Sequence, residues 1–537
     1  MQNNYLSQSD FDKILFDLDQ IVYCAEGNST IVVSNPSLGL ILRIRKEDDK
    51  TKVHKRSRGF INPVELSTNP RIQRYFGTCF TRRPRLVSVT PAFLLKLEHK
   101  ISSDRPAYRK TKGVKKSERY IVVTADAAQI PRPLRRYAFG CTLSVELKPK
   151  FGAIIIWPCT GPENLVKTSS CQFCLRQYHP SKTARWPQPS LYCPCDLFSG
   201  SRRRMLRSLY ALVRTPQVNF RVHLDGQVCF SHEGGDLDKT IGRFFTGGAQ
   251  CETVKKENGT ISNGLNGYHR NGIHSDIVSR KSESHKSMPN HKCSFTDNRD
   301  RLFRGLVLDA LLCELEGTDD SSVQHEAYLT HPPFLSLDCL LHKMTVDDDV
   351  LAHPKRRNSQ DPSVDCSSYL QPENSTDVPL PPKGSILGRV FATQLLTRTD
   401  VCYVVPHYER VCQFLSTHEL LWDDYIQLPP KERFKFLLGS TDLIESFSIV
   451  ERYLISLVAR DCSIMLTFQR ATNDCPDWAC TIGGTCDCLP RMIMNPVIID
   501  LDPKSLENIR GRFRIEQSIA QNASAWRPDF LALLERT

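Results

Sequence analysis

The chain reads as a mixed α/β protein, on three observations. Short runs of β-branched and aliphatic residues crowd the first fifty positions. A long amphipathic helical stripe occupies the 440s and 450s. Two apolar strands follow that stripe, each beside an aspartate. At 537 residues and 40% hydrophobic content, the chain is long enough for two or three domains or for one large two-lobed enzyme.

The elements follow in order. Residues 21–24, 29–33 and 38–44 form three strand candidates, with Asn35-Pro36-Ser37 turning between the last two. Basic loops at 50–58 and 109–119 interrupt them, and 120–124 is a further strand. Residues 143–150 and 152–156 follow, broken at Pro149. Residues 201–214 read as a basic helix with Met205, Leu206, Leu209, Leu212 and Val213 on one face. Residues 250–300 change to Asn, Gly, Ser, Lys and His, which marks a disordered insertion. Residues 301–345 regain helical periodicity, and 352–383 are polar and Pro/Ser-rich, a second flexible segment. Leu443, Ile444, Phe447, Val450, Leu454, Leu457 and Val458 make the helical stripe, which ends at Arg460. Strands at 462–468 and 497–501 complete the chain. The resulting division is 1–140, 141–249, 250–300, 301–351, 352–383 and 384–537.

Net charge is +12, which calls for an anionic partner: nucleic acid, acidic lipid or a polyphosphate. Residues 1–19 are polar and acidic, so no secretory leader is expected. The 21 cysteines are then expected to be reduced in cytosol or nucleus rather than to form a disulfide framework. Apolar stretches such as 306–315 are too short to span a bilayer.

Three segments carry candidate chemistry. Asp461 precedes one apolar strand and Asp500 ends another. An unpaired carboxylate is costly there, so a magnesium ion or a substrate hydroxyl would compensate, although turn-capping or an arginine partner would serve as well. Phosphoryl transfer uses that division: one carboxylate takes a hydroxyl proton and another holds the metal of ATP. Glu146, Lys148 and Lys150 alternate at period two, so on a strand they share a face. Two lysines on one face fit an anion between them, or a solvated edge. Glu26-Gly27-Asn28-Ser29 lies between strands, where glycine lets the backbone approach a phosphate; a plain hairpin turn reads the same way. Arg43, on the next strand, could reach the same anion. Lys504 lies four residues beyond Asp500, with Asp502 between them.

Cysteines cluster twice. Cys171 and Cys174, with His179 and Cys193 (Cys195 lies two residues on), can supply soft ligands to a structural zinc. Cys475, Cys480, Cys486 and Cys488 could do so too, or remain thiols.

Taken together these segments resemble the inositol-pentakisphosphate 2-kinase family, as an animal-type member. The matching motifs are Glu26-Gly27-Asn28, Leu42-Arg43, Asp104-Arg105-Pro106, Ser144 to Lys150, Tyr192-Cys193-Pro194, Asp196 to Gly200, Thr215-Pro216-Gln217, Asn219-Phe220-Arg221, Asp461-Cys462-Ser463-Ile464-Met465 and Asp500-Leu501-Asp502, in the family's order. The resemblance implies a two-lobed kinase-like fold with an enlarged C-lobe enclosing the inositol phosphate. It implies transfer of the γ-phosphate of ATP to the 2-hydroxyl of inositol pentakisphosphate, giving the hexakisphosphate (phytate). Asp461 would be the general base, Asp500 the magnesium ligand, and Lys148 a further catalytic group. Gly27, Asn28, Ser29, Arg43 and Glu146 would contact ATP. Arg105, Lys148, Lys150, Arg176, Asn219, Arg221 and Lys504 would hold the inositol phosphates. Arg176 stands where the family usually has histidine, and Arg510, Arg512 and Phe513 loosely match the residues expected after Lys504. The partners implied are ATP and inositol pentakisphosphate, with no membrane, no need of nucleic acid, a monomer by default, and a cytoplasmic or nuclear location. The competing readings are an inactive scaffold binding inositol phosphate or RNA, and a zinc-dependent nucleic-acid module using Arg202-Arg203-Arg204.

Overall fold

The computed structural model describes residues 15–27, 29–47, 74–82, 84–155, 167, 170–177, 179, 184–186, 188–246, 295–315, 381–428, 430–437, 440–477, 479–483 and 489–534. Two antiparallel sheets carry the architecture. The first contains β1 (Val22–Glu26), β2 (Thr30–Asn35), β3 (Leu40–Arg45), β4 (Arg85–Ser88) and β5 (Tyr120–Ala125), in the order β1-β2-β3-β5-β4. The turn at Asn35-Pro36-Ser37 forms because the Asn35 side chain accepts from Leu38 N at 3.1 Å, and Gly39 then takes a left-handed φ of 61°. Helix α1 (Pro91–Ile101) starts where Thr90 Oγ1 accepts from Phe93 N, with proline at its first position. It buries Leu94, Leu97 and Ile101 against Ile31, Val33, Leu42 and Ile44 of the sheet.

The second sheet runs β11-β12-β10-β6-β7-β8-β9. Its strands are β6 (Ala138–Leu147), β7 (Phe220–Leu224), β8 (Gln227–Ser231), β9 (Gly234–Gly235), β10 (Ser463–Ala471), β11 (Thr481–Ile482) and β12 (Met492–Ile499). Around one face pack α2 (Gln172–Gln177), α3 (Pro194–Leu197), α4 (Arg202–Arg214), α5 (Leu237–Thr246), α6 (Phe295–Leu312) and α7 (Ile386–Gln394), which share one large apolar core with Val145, Leu147, Ile464 and Leu466. A second, helical core joins α8 (Val401–Thr417), α9 (Trp422–Gln427), α10 (Pro430–Leu437), α11 (Thr441–Ala459) and α12 (Glu507–Leu534) through Val404, Phe414, Trp422, Val450 and Ile509. The stripe expected at 443–458 is α11, and its Phe447, Val450, Leu454, Leu457 and Val458 are buried.

Three expectations change. The expected strand through Lys150 stops at Leu147, because Pro149 has no N–H for the ladder and Lys150 turns left-handed with φ 57°. Residues 152–156 form no strand among the described residues. The final six residues of the 250–300 insertion already belong to α6. The rest of that segment up to residue 294, together with 50–58, 316–351 and 352–380, lies outside the described residues.

Strand directions bring the chemistry together. β10 pairs antiparallel with both β12 and β6, with Ser463 opposite Ile499 and Ile464 opposite Leu147. β6 pairs with β7, with Leu147 opposite Phe220. The start of β10, the end of β12, the end of β6 and the start of β7 therefore meet at one edge of the sheet. Asp461, Asp500, Lys148 and Asn219 each lie within two residues of those ends.

Candidate active site

Two carboxylate-centred groups occupy that edge. In the first, Asp461 sits on the turn between α11 and β10, half-exposed. Lys150 Nζ approaches its Oδ1 at 3.2 Å and Lys504 Nζ its Oδ2 at 2.9 Å. Burial opposes ionisation of Asp461, but the two ammonium groups outweigh it and hold the carboxyl well below the ordinary range. Lys150 is lowered too, which favours its neutral form: desolvation lowers its pKa more than Asp461 raises it.

In the second group, Asp500 follows β12 with φ 61°, and its Oδ2 receives Lys148 Nζ at 2.8 Å and Ser463 Oγ at 3.0 Å. Ser463 is fully buried. It accepts from Lys148 Nζ at 2.7 Å and lies 3.0 Å from Glu146 Oε1, so its single proton serves either Asp500 or Glu146. Arg221 Nη1 lies 3.7 Å from Glu146 Oε2. Burial raises the Asp500 pKa, but Lys148 and then Arg43 overcome it, so Asp500 is ionised more readily than an ordinary aspartate. Arg43, on β3 of the first sheet, bridges to Asp502 Oδ2 at 2.7 Å, so the two sheets are linked across the site.

Lys150 and Asp500 are two of the five described non-glycine residues with positive φ; the first pairs with Asp461 and the second is itself one of the two carboxylates. Backbone strain of that kind persists only where surrounding contacts over-determine it. Here the contacts include Tyr192 Oη, which donates to Pro149 O at 2.6 Å, and Lys148 N, which donates to Asn219 O at 2.8 Å.

The other predicted residues fall into three sets. Asn219 is buried, and neither Oδ1 nor Nδ2 has a hydrogen-bond partner among the described residues. Such a side chain beside Lys148 is available to a ligand. Arg176 lines a small cavity with Lys167, Arg512 and Glu516, and Arg512 and Asp461 both act on it electrostatically. Arg512, only loosely matched in the sequence, therefore belongs with the cations around Asp461. Arg105 lies elsewhere. Its guanidinium is buried and makes two 2.9 Å bonds to Glu26 and further bonds to Arg109 O and Lys112 O. Glu26 also pairs with the buried Lys46, whose Nζ donates to Gly27 O at 3.0 Å. That triad fixes the glycine turn, in which Gly27 N donates to Thr30 O and Ser29 O accepts from Lys46 N. Asn28 lies outside the described residues.

The thiols also differ from expectation. The Sγ atoms of Cys171, Cys193 and Cys195 lie within 4.8 Å of one another, and Cys174 hydrogen-bonds to Cys171 and Cys193. His179 instead lies with Nε2 3.2 Å from Ser518 Oγ, so Cys195 stands in the place expected of His179. Bonds from Cys171, Cys174 and Cys195 lower the Cys193 pKa, while the same mutual contacts raise those of Cys174 and Cys195, so the thiols are close enough to share one negative charge. In the second cysteine cluster, Cys480 lies against Cys313, and Cys486 and Cys488 fall outside the described residues. Described cysteines are free thiols except Cys402, which is disulfide-bonded.

Sequence reasoning missed Ser463 as a site residue. Its signal was its place, two residues after Asp461 and at the start of an apolar strand.

Comparison with known proteins finds one family. The sequence model of inositol-pentakisphosphate 2-kinase matches residues 23–518. A Danio rerio inositol-pentakisphosphate 2-kinase is 24% identical over 516 residues, covering 93% of this chain and 91% of that protein. An Arabidopsis thaliana protein of the same name is 28% identical over 254 residues, 42% of this chain and 56% of its own. A Drosophila melanogaster counterpart is 34% identical over 79 residues, 14% of this chain and 13% of its own. With a match running through both sheets and both carboxylate groups, the chain belongs to the inositol-pentakisphosphate 2-kinase family.

Proposed function

We propose that this chain phosphorylates the 2-hydroxyl of inositol pentakisphosphate from ATP, giving inositol hexakisphosphate and ADP. The observation that carries the reading is the pair of aspartates at one sheet edge, each held by lysine. Asp461 takes the proton of the 2-hydroxyl as its oxygen attacks the γ-phosphorus. The new O–P bond forms as the bond to the β-phosphate oxygen breaks, and the electron pair leaves on ADP. Lys148, 2.8 Å from Asp500, is positioned to neutralise charge developing on the transferred phosphoryl group.

Asp500 fits a magnesium site of the usual kind, one carboxylate completed by substrate phosphate oxygens and water. Its Oδ1 makes no hydrogen bond among the described residues, and its carboxyl is ionised. Bound there, magnesium would supply charge to the β- and γ-phosphates. Arg43 and the turn of Gly27, Asn28 and Ser29 would orient those phosphates, and Glu146 would face the nucleotide. On the other side, Lys150, Lys504, Arg176, Arg512 and Asn219 would hold the inositol phosphates, with Arg221 nearby. Five phosphates at roughly −1.5 to −2 each account for so many cations. Arg105 supports the nucleotide loop in this reading rather than touching inositol phosphate.

A structural zinc held by Cys171, Cys174, Cys193 and Cys195 completes the reading, since four gathered thiols suit a tetrahedral soft-ligand site. Elemental analysis should find about one zinc per chain, lost in Cys195→Ser and kept in His179→Ala; the reverse would restore the histidine set. No described helix is long and apolar enough to cross a membrane. Cytoplasm or nucleus, where both substrates would be met in water, is the proposed location, to be checked by imaging the tagged chain.

The deciding test gives purified protein Mg-ATP and inositol pentakisphosphate lacking the 2-phosphate. Hexakisphosphate from the wild type, absent with Asp461→Asn and Asp500→Ala, is the expected result. No product from folded wild type would overturn the reading.

A further inference from the structure

The base Asp461 and its partner Lys150 come from separate elements. Asp461 lies two residues beyond the end of α11, and Lys150 lies three residues beyond the end of β6. Their side chains touch at 3.2 Å in a half-open cleft, where an ion pair has little power to set the spacing of two backbones. A buried amide behind them does set it. Gln394, the last residue of α7, is fully buried. Its Nε2 donates to Lys150 O at 2.6 Å and to Ala459 O at 3.1 Å. Its Oε1 accepts from Gly152 N at 2.9 Å. The two N–H groups and the carbonyl are thus all used, and they join the segment around Lys150 to the helix end that carries Asp461.

We propose that Gln394 is a positioning residue for the reaction, acting through Lys150 and Asp461. It makes no contact with either side chain. It holds the left-handed turn at Lys150 and the C-terminus of α11 at one fixed separation, so the base and the phosphate-binding ammonium present a single geometry to the inositol. The amide of glutamine suits this place by chemistry and length. Asparagine is one methylene too short, glutamate lacks both donors, and methionine fills the volume but leaves Lys150 O and Gly152 N–H unpaired in the interior and Ala459 O with only the weak Cys462 thiol donor at 3.3 Å. Ser456 strengthens the brace from α11, since its Oγ donates to Gln394 O at 2.8 Å. The inference rests on the proposed reaction for its assay, but concerns only the inositol side of the site. The nucleotide side, at Arg43, Lys148 and Asp500, is held by other contacts.

The test compares full-length wild type, Gln394→Met, Lys150→Ala and the double variant at a temperature where all are folded. Ile241→Ala, a core truncation in α5, serves as a control for simple loss of stability. Gln394→Met should lower kcat about tenfold or more and raise KM for inositol pentakisphosphate, since misplacement of about 1 Å has such effects. KM for Mg-ATP should stay within about twofold, and in the Lys150→Ala background the same substitution should cost much less than it does alone. If Gln394→Met does not fold, Gln394→Glu is read for the same split. Unchanged kinetics, losses that match the Ile241→Ala control, equal effects on both substrates, or full additivity with Lys150→Ala would each overturn the inference. Inactive wild type would instead overturn the reaction on which the assay depends.

Discussion

Two ion-pair clusters in this molecule use the same residue types toward different ends. Glu26, Lys46 and Arg105 pair with side chains 1%, 2% and 4% exposed. Asp461, Lys150 and Lys504 pair with side chains 52%, 20% and 24% exposed. The first cluster is sealed, and its guanidinium bonds a carboxylate and two backbone carbonyls through Nε and Nη2. The second cluster is open on one side, so anionic oxygens can replace the carboxylate as the partner of either lysine. Closed pairing fixes a turn, whereas open pairing holds cations ready for exchange.

The largest expected effect comes from removing the open cluster's carboxylate. Asp461→Asn keeps shape and leaves both lysines, so folding should hold while kcat falls by about 10²-fold or more. Thermal unfolding and turnover of the same preparation check this. A turnover near wild type would mean that Asp461 is a cation holder and not the base.

The sealed cluster should behave in the opposite sense. Glu26→Ala strands two buried cations, at a cost of about 3–5 kcal/mol in stability. Denaturant titration should show that loss, with kinetic damage concentrated in KM for Mg-ATP because the Gly27 turn is released. If stability is unchanged and KM for inositol pentakisphosphate rises instead, Arg105 binds substrate after all and the contrast between the clusters fails.

That contrast also explains how much of the site could be read beforehand. The meeting of Asp461 and Asp500 at one place was legible because each adjoins an apolar strand, where a charge demands a partner, and Lys148 was legible from its alternation with Glu146. The α11 stripe was legible from its period, and β10 and β12 from their apolar runs, to within a few residues at each end. The pairing of Arg105 with Glu26 was not legible. An arginine beside a motif looks the same whether it meets a ligand or a buried Glu26 from 79 positions away. Gln394 and Ser463 were hidden for a related reason: an amide or hydroxyl gives no sign in sequence that it is fully buried and shared among several groups. Lys150 was assigned to the correct face by the wrong route, since Pro149 ends the strand and a left-handed turn delivers the ammonium to Asp461.

A smaller effect is expected within the open cluster. Lys504→Ala removes one of two cations at Asp461 and, on the proposed reading, one contact to substrate phosphate. Stability should change by less than about 1 kcal/mol, as for exposed pairs generally. KM for inositol pentakisphosphate should rise about tenfold, the scale of one charge-assisted contact, with kcat affected less. A stability loss comparable to that of Glu26→Ala would show that this cluster, too, is part of the scaffold.

The subtlest consequence is in pH dependence. Desolvation lowers the Lys150 pKa, so in the free enzyme its charge is lost at a pH below the ordinary lysine value of about 10.4. A group with a lowered pKa that must be charged to bind phosphate sets an alkaline limb: kcat/KM for inositol pentakisphosphate should fall as pH rises through that value. Asp461 is lowered as well, which on a carboxyl has the opposite effect and favours the charged form. Its carboxyl is held below the ordinary range, so it stays ionised as pH falls and sets no limb near neutrality. An acid limb near pH 6 should follow the second ionisation of the substrate phosphates, roughly pKa 6, and persist in every enzyme variant. Lys150→Arg replaces the ammonium with a group that stays charged throughout, so the alkaline limb should move to higher pH while the acid limb stays in place. An alkaline limb that does not move in this variant would assign it to another group, and the desolvated lysine would lose its claim to be the titrating partner of the substrate.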